Sequence, residues 1–336
     1  MRTSSLFTAL LIMLCAATLQ AKKPDYVAIA YVFQDNELPI ETEHITHINY
    51  AFGHVTDTYD GVRLNSDERL REIVALKEKD RDLKVLVSIG GWGSGRFSEM
   101  AANDNYRKSF AKDCKRLVDE FDLDGIDIDW EYPTSGAGGI SYTINDTENF
   151  TKLMRDLRKA IGSRKLLTIA VAATGVGIDY KAIEPYMDYI NLMTYDVSDP
   201  PYHHAALFSS SQTITITCQQ SVDLHLAAGV PADKLVLGVP FYGHWDDNEG
   251  KYQRYAQLKQ NPKYIECWDN DAKVPFFATV AEGKMVYSFE NVRSIEYKME
   301  YVKKRNLAGA MYWEYSSDDA QGTFRKTIYN CLNNDK

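Results

Sequence analysis

Eight short apolar runs, rich in β-branched and aromatic residues, recur along the chain and constrain its fold more than any other feature. Segments with helical spacing separate most of them. The runs are Tyr26–Tyr31, Ile45–Phe52, Lys84–Ile89, Gly125–Trp130, Leu166–Ala172, Tyr189–Tyr195, Lys234–Phe241 and Leu307–Trp313. Strands that alternate with helices pair in parallel, so eight such units in about 300 residues predict a (β/α)8 TIM barrel. A doubly wound open sheet is less favoured, because no glycine-rich phosphate loop follows the first run.

Three of the intervening segments have apolar residues at the spacing of an amphipathic helix. They are Tyr106, Phe110, Cys114, Leu117, Val118 and Phe121; Phe150, Leu153, Met154, Leu157 and Ile161; and Ile295, Met299 and Val302. The helical signal is weakest after the first run, where the link is short and contains Pro39. The longest gap follows the seventh run, and it predicts a small inserted lobe at residues 244–287. We expect Trp268, Phe276, Phe277 and Tyr287 to form the core of this lobe.

The first 21 residues have the pattern of a secretory signal peptide. Arg2 supplies a positive start, Leu6–Ala17 is mostly apolar, and Ala21 is a small residue at a suitable cleavage point. Because the apolar run is shorter than the ~20 residues that span a bilayer, we expect it to be removed. A lipid anchor at Cys15 is less favoured, because Leu14 before it is bulky. The protein is therefore expected to be secreted, periplasmic or at the cell surface.

The remaining chain, residues 22–336, is expected to form one catalytic barrel. A formal net charge of -9 argues against nucleic acid as a partner. A second long apolar run is lacking, so we expect no membrane span. Four sparse cysteines follow the signal, at positions too irregular for a disulfide scaffold. They are Cys114, Cys218, Cys267 and Cys331.

The segment 124–133, DGIDIDWEYP, is the most informative for function. Asp127, Asp129 and Glu131 alternate with apolar residues, so the segment reads as a strand with one acidic face. Carboxylates on one face repel each other and are costly to desolvate, which favours a functional site. Asp124 is an odd number of positions from these three residues, so its side chain is expected on the other face of the strand, and it is interpreted as structural.

Glu131 lies at the end of the fourth run, where a barrel places its active site. Neighbouring carboxylates on that face are ~6–7 Å apart along the strand. One pKa should therefore rise, which provides a general acid near neutral pH. Glu131 is best placed for this role because it is nearest the rim. A magnesium site and a structural acidic network are the alternatives, and the spacing favours catalysis.

With this segment, the chain resembles family 18 of the glycoside hydrolases, the chitinases and their relatives. Four further motifs at expected strand ends match that family in the right order. They are Ser88-Ile-Gly90-Gly91-Trp92, Met193-Thr-Tyr195-Asp196, Gly238-Val-Pro240-Phe-Tyr242-Gly243 and Gly309-Ala-Met-Tyr-Trp313-Glu. We expect Gly90 and Gly91 to allow close backbone packing.

The resemblance implies a retaining hydrolase that cleaves β-1,4 linkages of N-acetylglucosamine polymers or oligomers. The family uses the substrate's own N-acetyl group as nucleophile. Glu131 would act as the acid and then the base. Asp129 would orient the acetamido group and stabilise the oxazolinium ion, and Asp127 would hold a proton with it. Tyr195 would donate a hydrogen bond to the acetamido oxygen.

The resemblance also implies which residues line the saccharide site, and it implies no cofactor and no metal. Trp313 would form the apolar floor, and the other lining residues would be Tyr31, Phe52, Trp92, Tyr132, Met193, Asp196 and Tyr242. His244 stands where relatives usually carry arginine, and the lobe is shorter than in processive chitinases. The pair His203-His204 is predicted not to bind metal, because neighbouring side chains point apart and no carboxylate has chelating spacing.

Three functions remain open. The first is a chitinase or chitin-oligosaccharide hydrolase. The second is an endo-β-N-acetylglucosaminidase that cuts the chitobiose core of N-glycans, and it differs in loops that the motifs do not describe. The third is a chitin-binding lectin on an inactive barrel. The lectin is disfavoured, because such relatives typically lose the glutamate that is present here as Glu131.

Overall fold

A computed structural model describes residues 26–35, 39–246 and 259–334. Eight parallel strands form a closed barrel, because β1 pairs with both β2 and β13. The barrel strands are β1 (Val27–Phe33), β2 (His47–Val55), β4 (Lys84–Gly90), β5 (Gly125–Asp129), β6 (Leu166–Ala172), β7 (Tyr189–Met193), β8 (Leu235–Pro240) and β13 (Gly309–Trp313). A short strand, β3 (Val62–Leu64), pairs antiparallel with β2. The predicted (β/α)8 barrel is confirmed.

Eight α-helices are described, and a helix follows every barrel strand except β1 within the described ranges. They are α1 (Asp67–Ala75), α2 (Phe97–Ala102), α3 (Asp104–Glu120), α4 (Asp146–Ile161), α5 (Tyr180–Ile183), α6 (Cys218–Ala227), α7 (Val292–Lys304) and α8 (Thr323–Asn333). The three predicted amphipathic helices are confirmed as α3, α4 and α7. Asn103 caps α3 through two backbone N–H groups, as short polar side chains favour at a helix start.

Several strands end earlier than the sequence predicts, and this moves site residues into loops. β5 ends at Asp129 and β7 ends at Met193. Glu131 and Tyr195 therefore lie two residues beyond their strands, at the carboxyl end of the barrel. β1 shows the opposite shift and continues to Phe33.

The register of the barrel places polar side chains at one level of its interior. Ser88 on β4 lies opposite Asp127 on β5, and Asp127 lies opposite Thr168 on β6. Because side chains alternate along a strand, Asp127 points into the barrel while Ile126 and Ile128 pack outward. Both isoleucines belong to the large apolar layer that helices share with the outer barrel surface.

The predicted lobe contains a four-stranded antiparallel sheet. Its strands are β9 (His244–Trp245), β10 (Tyr264–Asp269), β11 (Val274–Thr279) and β12 (Met285–Ser288). Its buried core consists of Trp245, Phe277, Val286, Tyr287 and Phe289. Phe277 and Tyr287 were predicted correctly, and the other two predictions were wrong. Phe276 points to the opposite strand face and contacts His203, and Trp268 packs against Arg293 of α7.

The four cysteines after residue 21 are all free thiols. Within the described ranges, none of the helices combines the length and the apolar character needed to cross a bilayer. The expected signal at residues 1–21, including Cys15, lies outside the described residues.

Candidate active site

A cavity of about 930 Å³ opens at the carboxyl ends of the barrel strands. Ten of the twelve predicted site residues line it. They are Tyr31, Phe52, Trp92, Asp129, Glu131, Tyr132, Met193, Tyr195, Asp196 and Trp313. The remaining two, Asp127 and Tyr242, lie behind its walls. Residues from six different barrel strands and their loops thus meet at one site.

Asp127 lies at the base of the site and is completely buried. Its carboxylate accepts hydrogen bonds from Tyr31 (2.9 Å), Ser88 (2.7 Å), Thr168 (2.5 Å) and Asn191 (3.3 Å). Burial raises the pKa of Asp127, although the four donated hydrogen bonds oppose this rise. Such a donor set holds the Asp127 carboxyl group in place beneath Asp129 and offsets part of the cost of burying its charge.

Asp129 lies two residues beyond Asp127 on β5, where two glycines contact its backbone. The N–H of Gly91 donates to the carbonyl of Asp129 at 2.9 Å. A Cβ at Gly90 would lie 1.9 Å from that same oxygen, so the predicted role of the glycines in close packing is confirmed. Burial, followed by the charges of Glu131 and Asp127, raises the pKa of Asp129 well above its usual range. Its buried Oδ1 has no hydrogen-bond partner among the described residues, which leaves it available to a bound molecule.

Glu131 lies in the wall of the cavity just beyond β5. Burial and the negative charge of Asp196 raise its pKa to about 7, although a hydrogen bond with Tyr132 opposes the rise. A carboxyl group with this pKa is about half protonated at pH 7 and can donate its proton to a substrate oxygen.

Tyr195 presents its hydroxyl group to the same cavity. That hydroxyl contacts only a weak acceptor in the described residues, Met311 Sδ at 3.8 Å. Burial and the charge of Asp129 raise the pKa of Tyr195 well above its usual range, so the hydroxyl stays protonated and can donate. The Tyr242 ring packs edge-on against Tyr195 at 6.2 Å. Tyr242 therefore supports the cavity wall, whereas the sequence predicted that it would lie near the sugar.

Aromatic side chains form the floor and one end of the cavity. Trp313 stacks on Phe52 at 5.5 Å and 21° and contacts Tyr31 at 5.9 Å. This arrangement presents a flat apolar surface close to Asp129 and Glu131. Trp92 is 67 % exposed, so its indole is an uncovered surface on which a sugar ring can stack.

Sequence reasoning missed Thr168 and Asn191, which both donate to Asp127. Each is a lone polar residue on the inward face of an apolar strand, and this signal was present in the sequence. Asp124, by contrast, has the structural role that its place on the other strand face predicted. It accepts a hydrogen bond from the Val85 N–H and pairs with Lys77, both at 2.9 Å.

His244, in place of the usual arginine, connects two carboxylates in the cavity wall. Its Nε2 lies 2.5 Å from Asp196 Oδ1, and its Nδ1 lies 2.7 Å from Asp199 Oδ1. His203 and His204 point apart, as predicted, since His203 contacts Asp269 while His204 stacks on His244 at 4.3 Å. The fold nevertheless brings a carboxylate to His204, because the ligand atoms of Asp196, His204 and His244 lie within 4.8 Å of one another.

The cavity thus combines an acid near neutrality, a buried carboxyl beside it, a hydroxyl donor and an aromatic floor. The aromatic floor can support an apolar ring face, while Glu131, Asp129 and Tyr195 offer polar groups to whatever lies on that floor. These are the parts required for acid-catalysed glycoside cleavage.

Comparison with known proteins agrees with this chemistry. The family model described as "Glycosyl hydrolases family 18" matches residues 25–318. Chitinase A1 of Niallia circulans is 33% identical over 315 residues, which cover 79% of this chain and 44% of that protein. Chitotriosidase-1 of Mus musculus is 32% identical over 323 residues, which cover 83% of this chain and 68% of that protein.

A solved structure has a similar fold. The family 18 N-acetylglucosaminidase from Paenibacillus barengoltzii superimposes with a TM-score of 0.83 at 32% identity, covering 91% of this chain and 100% of that one. The chain spans less than half the length of the Niallia circulans chitinase, with 44% covered. The family match extends over most of the chain, from β1 to the end of the barrel, and the chain therefore belongs to family 18 of the glycosyl hydrolases.

Proposed function

We propose that the protein hydrolyses β-1,4 linkages between N-acetylglucosamine units of chitin or its oligomers, by substrate-assisted catalysis with retention. The observation that carries this proposal is the pairing of Glu131 with Asp129. The first has a pKa of about 7, and the second has a pKa well above its usual range. The site therefore offers a proton donor next to a carboxyl group that is not a free nucleophilic carboxylate at neutral pH.

The first step is cleavage of the glycosidic bond. Glu131 gives its proton to the glycosidic oxygen while the acetamido carbonyl oxygen of the same sugar attacks C1. The C1–O bond breaks and an oxazolinium ion forms, so the enzyme needs no carboxylate nucleophile of its own. Tyr195 donates a hydrogen bond to the acetamido oxygen, which positions it for attack.

Asp129 then stabilises the positive charge of the oxazolinium ion. Once the proton of Asp129 has passed to Asp127, the unpaired Oδ1 of Asp129 accepts a hydrogen bond from the acetamido N–H of the sugar. The hydroxyl groups that donate to Asp127 can rotate to accommodate this proton. In the second step, Glu131 removes a proton from water, which attacks C1 from the face that the leaving group vacated. The bond between C1 and the former acetamido oxygen breaks, which restores the acetamido group, and Asp129 regains its proton. The product keeps the β configuration.

The floor and the open end of the cavity support binding of more than one sugar. Trp313 carries the ring that is cleaved, and the exposed Trp92 lies at the edge of the same cavity. Two aromatic platforms suit an oligomer rather than a single sugar. The chitinase relatives favour the same substrate class, since both aligned proteins are named for chitin cleavage.

The experiment that tests this proposal is mass spectrometry of products from chitin oligomers and from an N-glycosylated protein. We expect short N-acetylglucosamine oligomers from the first substrate and no reaction with the second. Glu131→Gln should lower the rate by about 10²–10⁴-fold, because the amide cannot donate the proton. Glu99→Gln, which removes an exposed carboxylate of α2, is the matched control and should retain the rate.

Other product patterns would contradict the proposal in distinct ways. Release of a glycan that leaves one sugar on the protein would identify an endo-β-N-acetylglucosaminidase. Stepwise release of single sugars would identify an exo-acting enzyme, such as the N-acetylglucosaminidase named for the Paenibacillus structure. A folded enzyme that turns over neither substrate would point to another 2-acetamido substrate or to a lectin.

A further inference from the structure

Asp196, His204 and His244 form a compact group in the cavity wall, and the two histidines have no part in the reaction described above. Asp196 and His204 lie in the connection between β7 and α6, and His244 begins β9. Their ligand atoms lie within 4.8 Å of one another. His244 Nε2 lies 2.5 Å from Asp196 Oδ1, and His204 Nδ1 lies 3.8 Å from the same oxygen. Two imidazoles and a carboxylate are the donor set of many three-ligand zinc sites.

His204 is the strongest reason to assign a ligand to this group. Its side chain is buried, and neither ring nitrogen has a hydrogen-bond partner within the part of the chain that the structure describes. An unpaired buried nitrogen is costly unless something binds it.

His244 is oriented as metal-binding histidines usually are. Its Nδ1 donates to Asp199 at 2.7 Å, which directs Nε2 towards Asp196. A carboxylate behind a histidine fixes the ring and raises its basicity as a ligand. Asp196 supplies the carboxylate of the group, since Nε2 of His244 and Nδ1 of His204 both face its Oδ1.

Closing the group around an ion requires the stacked His204 and His244 rings, whose centroids are 4.3 Å apart, to turn so that one nitrogen of each faces the same ion. Zinc bonds of ~2.0–2.1 Å in a tetrahedral site place ligand atoms about 3.4 Å apart. The distance from His244 Nε2 to Asp196 Oδ1 must increase from 2.5 Å, and the distance from His204 Nδ1 to the same oxygen must decrease from 3.8 Å. Each change is less than about 1 Å. The Asp196 side chain is 52% exposed, so water from the cavity can supply the fourth ligand.

We propose that Asp196, His204 and His244 bind one Zn²⁺ ion in the wall of the catalytic cavity, and that this ion inhibits the enzyme reversibly. The inhibition rests on the proposed function, whereas the binding does not. An ion held there occupies space beside the sugar site, because Asp196 and His244 both line the catalytic cavity. The sequence does not indicate the site, because His204 and His244 follow Asp196 by 8 and 48 residues.

The binding test is a Zn²⁺ titration of the chelator-treated protein by calorimetry, with X-ray absorption at the zinc edge. We expect one ion per chain, with imidazole and oxygen ligands at ~2.0–2.1 Å. His204→Gln should abolish stoichiometric binding. Asp199→Asn should weaken it about 10- to 100-fold, and this exposed position keeps the test valid if the buried variant fails to fold. His203→Asn, at the adjacent buried histidine that contacts Asp269, should bind like the wild type.

Equal affinity in the wild type and in a folded His204→Gln variant would overturn the assignment, as would a wild type that binds no stoichiometric zinc. The inhibition is tested separately, in an activity assay. Zn²⁺ should inhibit the wild type and His203→Asn, a chelator should restore both, and His204→Gln should resist. Stoichiometric zinc without inhibition would overturn the inhibitory role alone. Zinc binding by a protein that hydrolyses no substrate would support the site and refute the proposed function.

Discussion

The pKa of Glu131 predicts where the activity of the enzyme falls as pH rises. Burial, together with the charge of Asp196, moves this pKa from 4.5 to about 7. Only protonated Glu131 can cleave the bond, so kcat/KM should be constant below pH 6 as far as this group is concerned. About one tenth of the molecules remain protonated at pH 8 and about one hundredth at pH 9. We therefore expect kcat/KM to fall roughly tenfold per pH unit above pH 7.

A substitution tests the cause of this pKa. Asp196→Asn removes the neighbouring negative charge and should move the midpoint of the fall to lower pH, by up to about one unit. The assay is initial-rate hydrolysis of a fluorogenic chitobioside from pH 4 to 9, with Glu99→Gln as a matched loss of one exposed carboxylate. A wild-type midpoint near 4.5, or a midpoint that rises in Asp196→Asn, would refute the reasoning.

Three further substitutions test the charges and packing around the site. Asp129→Asn removes a carboxyl whose pKa is raised by burial and by Glu131, so the wild type loses stability as pH rises through that pKa. The inactive variant should be more stable by about 1 kcal/mol in thermal unfolding at pH 8, and an advantage that grows towards pH 4 would contradict this. Lys298→Met leaves the buried Glu290 without its cation and should cost about 3–5 kcal/mol in urea unfolding. Adding Glu290→Gln should recover part of that loss, and no recovery would refute the pairing. Trp313→Ala should raise KM for chitin oligomers about tenfold, whereas an unchanged KM would show that the sugar binds elsewhere.

Local patterns in the sequence predicted the barrel and its acidic strand. The interior Asp127 and the outward Ile126 differ by one position, and this parity is visible in any strand. Helix α4 is amphipathic over four turns, so its buried face follows from spacing alone. The catalytic carboxylates lie on one strand and its continuation, which is why a single segment could indicate them.

Features that depend on contacts between distant loops could not be predicted. Asp196 and His244 meet because they follow two strands, β7 and β8, that are neighbours in the closed barrel. Tyr242 was expected near the sugar, but the chain beyond β8 turns its ring behind Tyr195. Phe276 was placed in the lobe core because apolar character alone does not reveal which strand face is buried.

The most direct test of the account compares two matched fluorogenic disaccharides with the wild-type enzyme. They differ only in the sugar that is cleaved, which carries either a 2-acetamido group or a 2-hydroxyl group. If the acetamido oxygen is the nucleophile, only the first is hydrolysed, with an advantage of at least about 10³-fold in kcat/KM. Similar rates for the two substrates would contradict substrate assistance and would require a carboxylate of the protein as nucleophile.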